Sequence, residues 1–324
     1  MCTALNFGKE RRFFGRTLDL EYHYNEEVVV TPRGYSYNLK NEGRIDTKYA
    51  MIGTAIVVED YPLYYEAVNE KGLSIAGLHF NDNAKYFDAK DGKLNLSTYE
   101  LFPYFLGMYE TVEEIRPLLQ KLNISNNNFS SQLPLSPLHW MIADNKDCIV
   151  VEQTEAGLRV YENPLGVMTN NPTFEYHMDY IEEFKMLTPE YRRISDDIDG
   201  VCFDCDGYGS LGLPGDYSPT SRFVKAVFLK ETAYIEPNDT NEVLSQFFHV
   251  MDAVSMVKGS VITEDDEYNM TVYTCCIDTM KGIFYYKTYE NNRISAVKMT
   301  SENINGKCLD RYPLRTTQDI CFVN

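Results

Sequence analysis

The sequence predicts an α+β fold in which strands and helices form separate layers. Three observations carry that expectation. Strand patterns come in blocks of three, helical patterns fall between those blocks, and no proline-rich linker, repeat or composition break divides the 324 residues. A doubly wound parallel sheet would instead alternate strands and helices one by one. One domain spanning residues 1–324 is therefore expected.

Residues 49–80, YAMIGTAIVVEDYPLYYEAVNEKGLSIAGLHF, contain three β-rich runs interrupted by Glu59-Asp60 and by Asn69-Glu70-Lys71-Gly72. Short turns between apolar runs join antiparallel neighbours, so this segment reads as a meander. Residues 97–122 read as two helices, the second opened by Thr111 with Glu114 three residues on, the spacing of a capping box. HWMIAD, CIVVEQ and GLRVYE form a second three-strand unit, and residues 174–187 are amphipathic and helical. The stretch 196–219, rich in Asp, Gly and Pro, is a candidate loop or arm. Ser218-Pro219 offers an N-cap and a first-turn proline for a helix reaching about Glu231, and residues 239–256 give another helix. TVYTCCID, GIFYYKTYE and RISAVKM form a third strand unit over residues 268–298.

Apolar residues make up 44% of the chain and charged residues 24%, values of a globular protein with a large core. A net charge of −18 with no basic run excludes phosphate-backbone binding, which needs clustered Lys and Arg, so no nucleic-acid partner is expected. The first residues lack a charged segment followed by an apolar one. No uninterrupted apolar stretch approaches the ~18 residues of a membrane span. A cytoplasmic protein without a membrane partner is expected. Eight cysteines are too few for a disulfide scaffold in a chain this long, and a reducing compartment would keep them as thiols.

Most catalytic signatures are missing. GYGSLG at residues 207–212 has the wrong glycine spacing for a dinucleotide loop, and neither a P-loop nor a G-x-S-x-G elbow occurs. Cys202 and Cys205 form a C-x-x-C without a second pair at zinc spacing. His23, His79, His139, His177 and His249 form no paired ligand motif, so no metal is expected. Cys275-Cys276 lies in a strand, where adjacent side chains face opposite ways, and reads as buried structural thiols.

Cys2 in MCTALNF remains, and removal of Met1 would make it N-terminal. A free α-amine has a pKa of about 8, so it can act as general base toward its own thiol without a histidine. Such a nucleophile needs a group that fixes the amine, a positive charge that favours thiolate, and donors for the tetrahedral oxyanion. Arg16 and Asp19 in GRTLDLE supply a guanidinium and a carboxylate three residues apart. That spacing alone is more typical of a surface ion pair.

Cys2, GRTLD, AGLHF, GVMTNNPTFEYHM and LPGDYSPTSRFVKA occur in an order that resembles the choloylglycine hydrolase family, which includes bile salt hydrolases and penicillin V acylases. PLHWMIADNKDCIVVE and FYYKTYEN extend the similarity from Cys2 to at least Tyr289. The resemblance implies the four-layer αββα sandwich of N-terminal nucleophile hydrolases, with Cys2 as nucleophile and, through its amine, base. It places Arg16 beside the thiol and Asp19 at the amine. It makes Asn170 the side-chain oxyanion donor, Arg222 the second active-site arginine, and the main-chain N–H of His79 part of the oxyanion hole. One position departs from the pattern: bile salt hydrolases typically carry Asn in GLNFP where this chain has His79 in GLHFN, and penicillin V acylases carry Tyr. A main-chain donor survives that change, while the imidazole would lie on the leaving-group side.

The activity implied is hydrolysis of glycine- or taurine-conjugated bile salts through a Cys2 thioester, with no metal or organic cofactor. TNNPTFEYH and LPGDYSPTSRF look more like the bile salt hydrolases of Gram-positive bacteria than like the acylases. Leu18, Tyr24 and His79 are expected to line the substrate pocket. A homotetramer is implied by analogy, with the 196–219 arm shaping the pocket mouth or reaching a neighbour. Two alternatives remain open: a penicillin V acylase or other N-acyl amide hydrolase, and a silent ligand-binding relative in which His79 or retained Met1 blocks the chemistry.

Overall fold

The computed structural model of the chain describes residues 1–8, 13–191, 206–235 and 239–324. Its first strands are β1 (Cys2–Phe7), β2 (Phe13–Leu20), β3 (Glu27–Thr31), β4 (Ser36–Leu39), β5 (Gly43–Asp46), β6 (Met51–Val58), β7 (Tyr61–Asn69), β8 (Ser74–His79) and β9 (Leu94–Ser97). There follow β10 (Leu122–Ser125), β11 (Leu138–Ala143), β12 (Cys148–Thr154), β13 (Gly157–Glu162) and β14 (Val167–Met168). The last are β15 (Val261–Ile262), β16 (Tyr268–Asp278), β17 (Ile283–Thr288), β18 (Ser295–Lys298) and β19 (Asp310–Pro313). The α-helices are α1 (Leu101–Met108), α2 (Val112–Leu119), α3 (Phe174–Tyr180), α4 (Pro219–Thr232), α5 (Thr240–Asp252) and α6 (Ser301–Ile304).

Two antiparallel sheets form the centre. One has seven strands in the order β14-β1-β2-β16-β17-β18, with β15 joined to β16; the other has eight, in the order β13-β12-β11-β8-β7-β6-β3-β19. Alternation along the eight-stranded sheet explains the layering. Val28, Val30, Met141 and Val150 turn toward Cys2, Ala4, Leu18 and Val272 of the other sheet. Val29, Trp140, Ile142, Ile149 and Val151 turn the opposite way, onto Leu101, Phe102 and Phe105 of α1 and Ile115 of α2. A strand with period-two side chains thereby buries both faces. Each fully buried side chain of this size stabilises the fold by roughly 1.5–3 kcal/mol relative to exposure. Phe223 and Ala226 of α4, with Phe247, Val250 and Met251 of α5, cover the outer face of the seven-stranded sheet. The fold is thus an αββα sandwich, as the resemblance implied.

The three expected meanders are β6–β8, β11–β13 and β16–β18. Glu59 and Asp60 turn the first with φ of 50° and 61°, the left-handed geometry of a two-residue hairpin loop. Ser218 caps α4 by accepting from the Ser221 amide, with Pro219 in the first turn, and Asp239 caps α5. Thr111 caps α2, but the reciprocal half of the expected capping box differs: the Glu114 carboxylate accepts from the Glu110 amide instead of from Thr111. Helix α5 stops at Asp252, short of the expected end near Met256, where the Met256 amide donates to the Thr271 hydroxyl of β16 at 2.7 Å. Of the arm expected at 196–219, residues 196–205, with Cys202 and Cys205, lie outside the described residues. Among the described residues no helix is long and apolar enough to cross a membrane.

Candidate active site

The hairpin of β1 and β2 builds the site. Cys2 pairs with Leu18 and Ala4 with Arg16, so Cys2 and Arg16 stand diagonally on the face turned toward the eight-stranded sheet. Thr3, Thr17 and Asp19 alternate onto the opposite face. Both strands are buried along their whole length, and Cys2 is 1% exposed.

Arg16 is held by main-chain oxygens. Its Nη1 donates to the carbonyls of Gly77 at 2.6 Å and Tyr65 at 3.4 Å, its Nε to the Thr17 carbonyl at 3.1 Å, and its Nη2 to the Cys2 thiol. Glu66 Oε2 lies 3.8 Å from Arg16 Nε and accepts from the Tyr273 hydroxyl at 2.8 Å. Burial acts to lower the Arg16 pKa, but the charges of Cys2, Tyr273 and Glu66 outweigh it, and the guanidinium stays protonated.

The other face holds the backbone of Cys2. Its N–H donates to Asn170 Oδ1 at 2.6 Å. Arg222 Nη1 donates to the Cys2 carbonyl at 2.5 Å and to the Thr3 hydroxyl at 2.7 Å, and Arg222 Nη2 to Asn170 Oδ1 at 2.8 Å. Two donors on Oδ1 fix the orientation of the Asn170 amide, and its Nδ2 donates to the His79 carbonyl at 2.8 Å. The Asp19 carboxylate accepts from the hydroxyls of Thr271 at 2.7 Å and Thr17 at 3.1 Å. Burial raises its pKa, opposed by the N-terminal ammonium and Arg222. That ammonium, on Met1, donates to the Asp19 carbonyl at 2.7 Å. Burial also pushes His79 down to about 4, so its ring is neutral near pH 7.

A second tier fixes Asn170. His177 Nε2 donates to the Asn170 carbonyl at 2.8 Å, and His139 Nε2 donates to the Thr169 carbonyl at 2.8 Å. His139 Nδ1 faces Glu152 Oε1 at 3.0 Å, an oxygen that also accepts the Phe174 amide at 2.9 Å. Lone histidines are ordinarily hydrogen-bonded packing residues, and here they act on the main chain that carries Asn170.

The structure thus gathers Cys2, Arg16, Asp19, His79, Asn170 and Arg222 from β1, β2, the end of β8, the segment after β14, and α4. Leu18 is 2% exposed in the apolar cluster beside Cys2, and Tyr24 is 41% exposed with its ring 4.8 Å from that of Tyr22. The sequence expectation sets Asp19 at a free Cys2 amine; with Met1 attached, the Cys2 peptide N–H donates to Asn170 Oδ1 and the Met1 ammonium donates to the Asp19 carbonyl. Thr17, Thr271, Glu66, Tyr273, His139 and His177 were not singled out for the site. Thr17, His139 and His177 stand inside the motifs GRTLD, PLHWMIADNKDCIVVE and GVMTNNPTFEYHM, and Glu66 stands as a single carboxylate inside the apolar run YPLYYEAVN.

A family model described as linear amide C–N hydrolases, choloylglycine hydrolase family, matches residues 2–312. A bile salt hydrolase/transferase from Lactiplantibacillus plantarum is 42% identical over the whole of both chains. A solved mutant of the conjugated bile acid hydrolase from Clostridium perfringens matches with a TM-score of 0.92 and 36% identity, covering 100% of each chain. The penicillin V acylase from Agrobacterium tumefaciens shares the fold, with a TM-score of 0.75 at 20% identity over 96% of this chain and 90% of its own.

Proposed function

The chain belongs to the choloylglycine hydrolase family of linear amide C–N hydrolases, and on that premise we propose that it hydrolyses the amide bond of conjugated bile salts, with Cys2 as nucleophile once Met1 has been removed. The observation that carries the reading is the placement of Cys2: its thiol touches the Arg16 guanidinium while its nitrogen and carbonyl are held by Asn170 and Arg222.

With Met1 gone, the Cys2 amine accepts the thiol proton, and Arg16 favours the thiolate. Attack forms a carbon–sulfur bond and moves the carbonyl π pair onto oxygen. The Asn170 amide has two N–H bonds; one goes to the His79 carbonyl, and the other is available to that oxyanion together with the His79 main-chain N–H. Collapse breaks the carbon–nitrogen bond, and the Cys2 ammonium returns its proton to the departing glycine or taurine nitrogen. Water, deprotonated by the same amine, then cleaves the thioester and releases the bile acid. The Asp19 carboxylate, fixed by Thr17 and Thr271, supports the ammonium form between these transfers. The L. plantarum relative is named a transferase as well as a hydrolase, and the same thioester in this chain is open to an amine acceptor in place of water.

The identities at full length support bile salts over penicillin V, since the penicillin V acylase likeness extends to the fold alone. Turnover of glycocholate, taurocholate and penicillin V by the purified protein, with its intact mass recorded, tests the reading. Loss of the Met1 mass and release of glycine or taurine are expected; penicillin V cleavage without bile salt cleavage overturns the substrate. The proposal extends to a single catalytic domain working as a cytoplasmic homotetramer, as the resemblance implies, with sedimentation velocity as the test of assembly.

A further inference from the structure

Glu66 is 0% exposed at the centre of the sandwich. From β7 it faces Arg16 of β2, Tyr273 and Cys275 of β16 and Thr54 of β6, with Tyr65 beside it on its own strand. Cys2 of β1 and His79 of β8 lie around the same guanidinium. Its Oε2 accepts from Tyr273, while its Oε1 makes no close hydrogen bond, with the Thr54 hydroxyl and the Cys275 thiol facing the carboxyl. Burial of a carboxylate in an apolar interior is costly and favours the neutral carboxyl, against the opposing pull of Arg16, Tyr273 and Thr54.

The local charge count sharpens this. The buried Arg16 guanidinium stands between two groups that can become anions, the Glu66 carboxyl and the Cys2 thiol, while Arg222 and the Cys2 amine face Cys2 from its other side. The two anions would share Arg16 and repel each other across it, so ionisation of either group disfavours ionisation of the other. We propose that Glu66 competes with Cys2 for the Arg16 charge, acting as a positioning residue whose protonation governs how the thiolate population of the nucleophile varies with pH. Burial pushes the Glu66 carboxyl up to about 7, which places the competition near neutrality. Below that pH the carboxyl is neutral and Arg16 serves the thiolate alone; above it the two anions share one cation. Arg16 itself does not depend on Glu66 for its place, because three main-chain carbonyls hold it.

The inference rests on Cys2 being the nucleophile, and its test reads thiol reactivity instead of turnover, so the two ideas can fail separately. The probe is iodoacetamide, whose iodide is displaced by the thiolate sulfur. Alkylation is followed from pH 5 to pH 9 on the N-terminal tryptic peptide ending at Lys9, which carries no cysteine besides Cys2. In the wild type the logarithm of the rate should climb in two steps, with reduced slope near neutrality. Glu66→Gln, which still accepts from Tyr273, should climb in one step and react about tenfold faster than wild type at pH 8. Superimposable profiles would overturn the proposal. Should Glu66→Gln fail to fold, Tyr273→Phe serves instead. It removes the bond that favours the carboxylate, so the break in the wild-type profile should move to higher pH, and an unmoved break counts against Glu66. Normal profiles with no bile salt turnover would leave Glu66 in its role and remove the hydrolase reading.

Discussion

Arg16 and Arg222 are both 1% exposed, and both end on Cys2, yet the company they keep differs. Arg16 reaches the thiol from the inter-sheet face, anchored on three main-chain carbonyls with Glu66 as its counter-charge. Arg222 approaches from α4 and touches the Cys2 carbonyl, the Thr3 hydroxyl and the Asn170 amide oxygen, with its Nε on the Tyr217 carbonyl at 3.0 Å. A guanidinium on the sulfur changes how easily the thiol ionises. A guanidinium on the backbone and on Asn170 changes where Cys2 and the Asn170 amide stand. The same residue type thus serves reactivity on one side of the hairpin and geometry on the other.

The largest test of this division removes the sulfur. Cys2→Ser should abolish bile salt turnover while leaving the thermal unfolding transition in place, because a hydroxyl ionises far less readily than a thiol; substantial residual turnover would break the premise that Arg16 acts on a nucleophile. Asn170→Ala should come next, with kcat lower by on the order of 10²–10³, the usual cost of a missing oxyanion donor. A negligible loss would make the Arg222 side purely structural. The two arginines separate at a smaller scale. Arg16→Lys and Arg222→Lys each lose a charge-assisted fork, and each should lower kcat/KM by about 10²-fold. Only Arg16→Lys should also slow iodoacetamide alkylation of Cys2 at pH 7. Equal alkylation rates in both variants would erase the distinction.

The fold was legible in sequence where one face of each strand meets a helix layer or a short turn interrupts it, as in β6–β8 and β11–β13. The hairpin that carries Cys2, Arg16 and Asp19 was not. Every residue of CTALNF and FFGRTLDL is buried, so no polar face alternates with an apolar one, and the buried Arg and Asp look like surface charge in the one-dimensional pattern. Motif order brought forward Cys2, Arg16, Asp19, Asn170 and Arg222, which periodicity did not, and the structure brings these side chains together. Motif order in turn gave no access to Glu66 or Thr271, because their roles come from strands brought together across long sequence separations, whereas His177 stands inside GVMTNNPTFEYHM, seven residues from the Asn170 carbonyl it holds. Asp19 meets Thr271 252 residues away, and Tyr273 meets Glu66 207 residues away.

The last contrast between the two sides is in stability and has the smallest expected effect on rate. His177, beneath Asn170 on the Arg222 side, is pushed down to about 4, chiefly by burial and against its bond to the Asn170 carbonyl. The unfolded chain therefore binds the extra proton first as pH falls, and the stability this ring contributes above about 6.5 is lost progressively toward pH 4. Glu66, beside Arg16, has the opposite sign: its carboxyl is raised to about 7, so the folded state binds the extra proton, and its contribution is present below about 4.5 and lost as pH rises through 7. Urea midpoints from pH 4 to pH 8 read both. The stability of wild type relative to His177→Gln should fall by on the order of 2–3 kcal/mol between pH 7 and pH 4, while that relative to Glu66→Gln should fall in the other direction, between pH 4.5 and pH 7.5. Two differences of the same sign would mean that the sides are not electrostatically distinct, whatever their geometry. Opposite signs would place a group that resists a proton under the oxyanion donor and a group that keeps one beside the nucleophile, each on the side of the hairpin where its arginine stands.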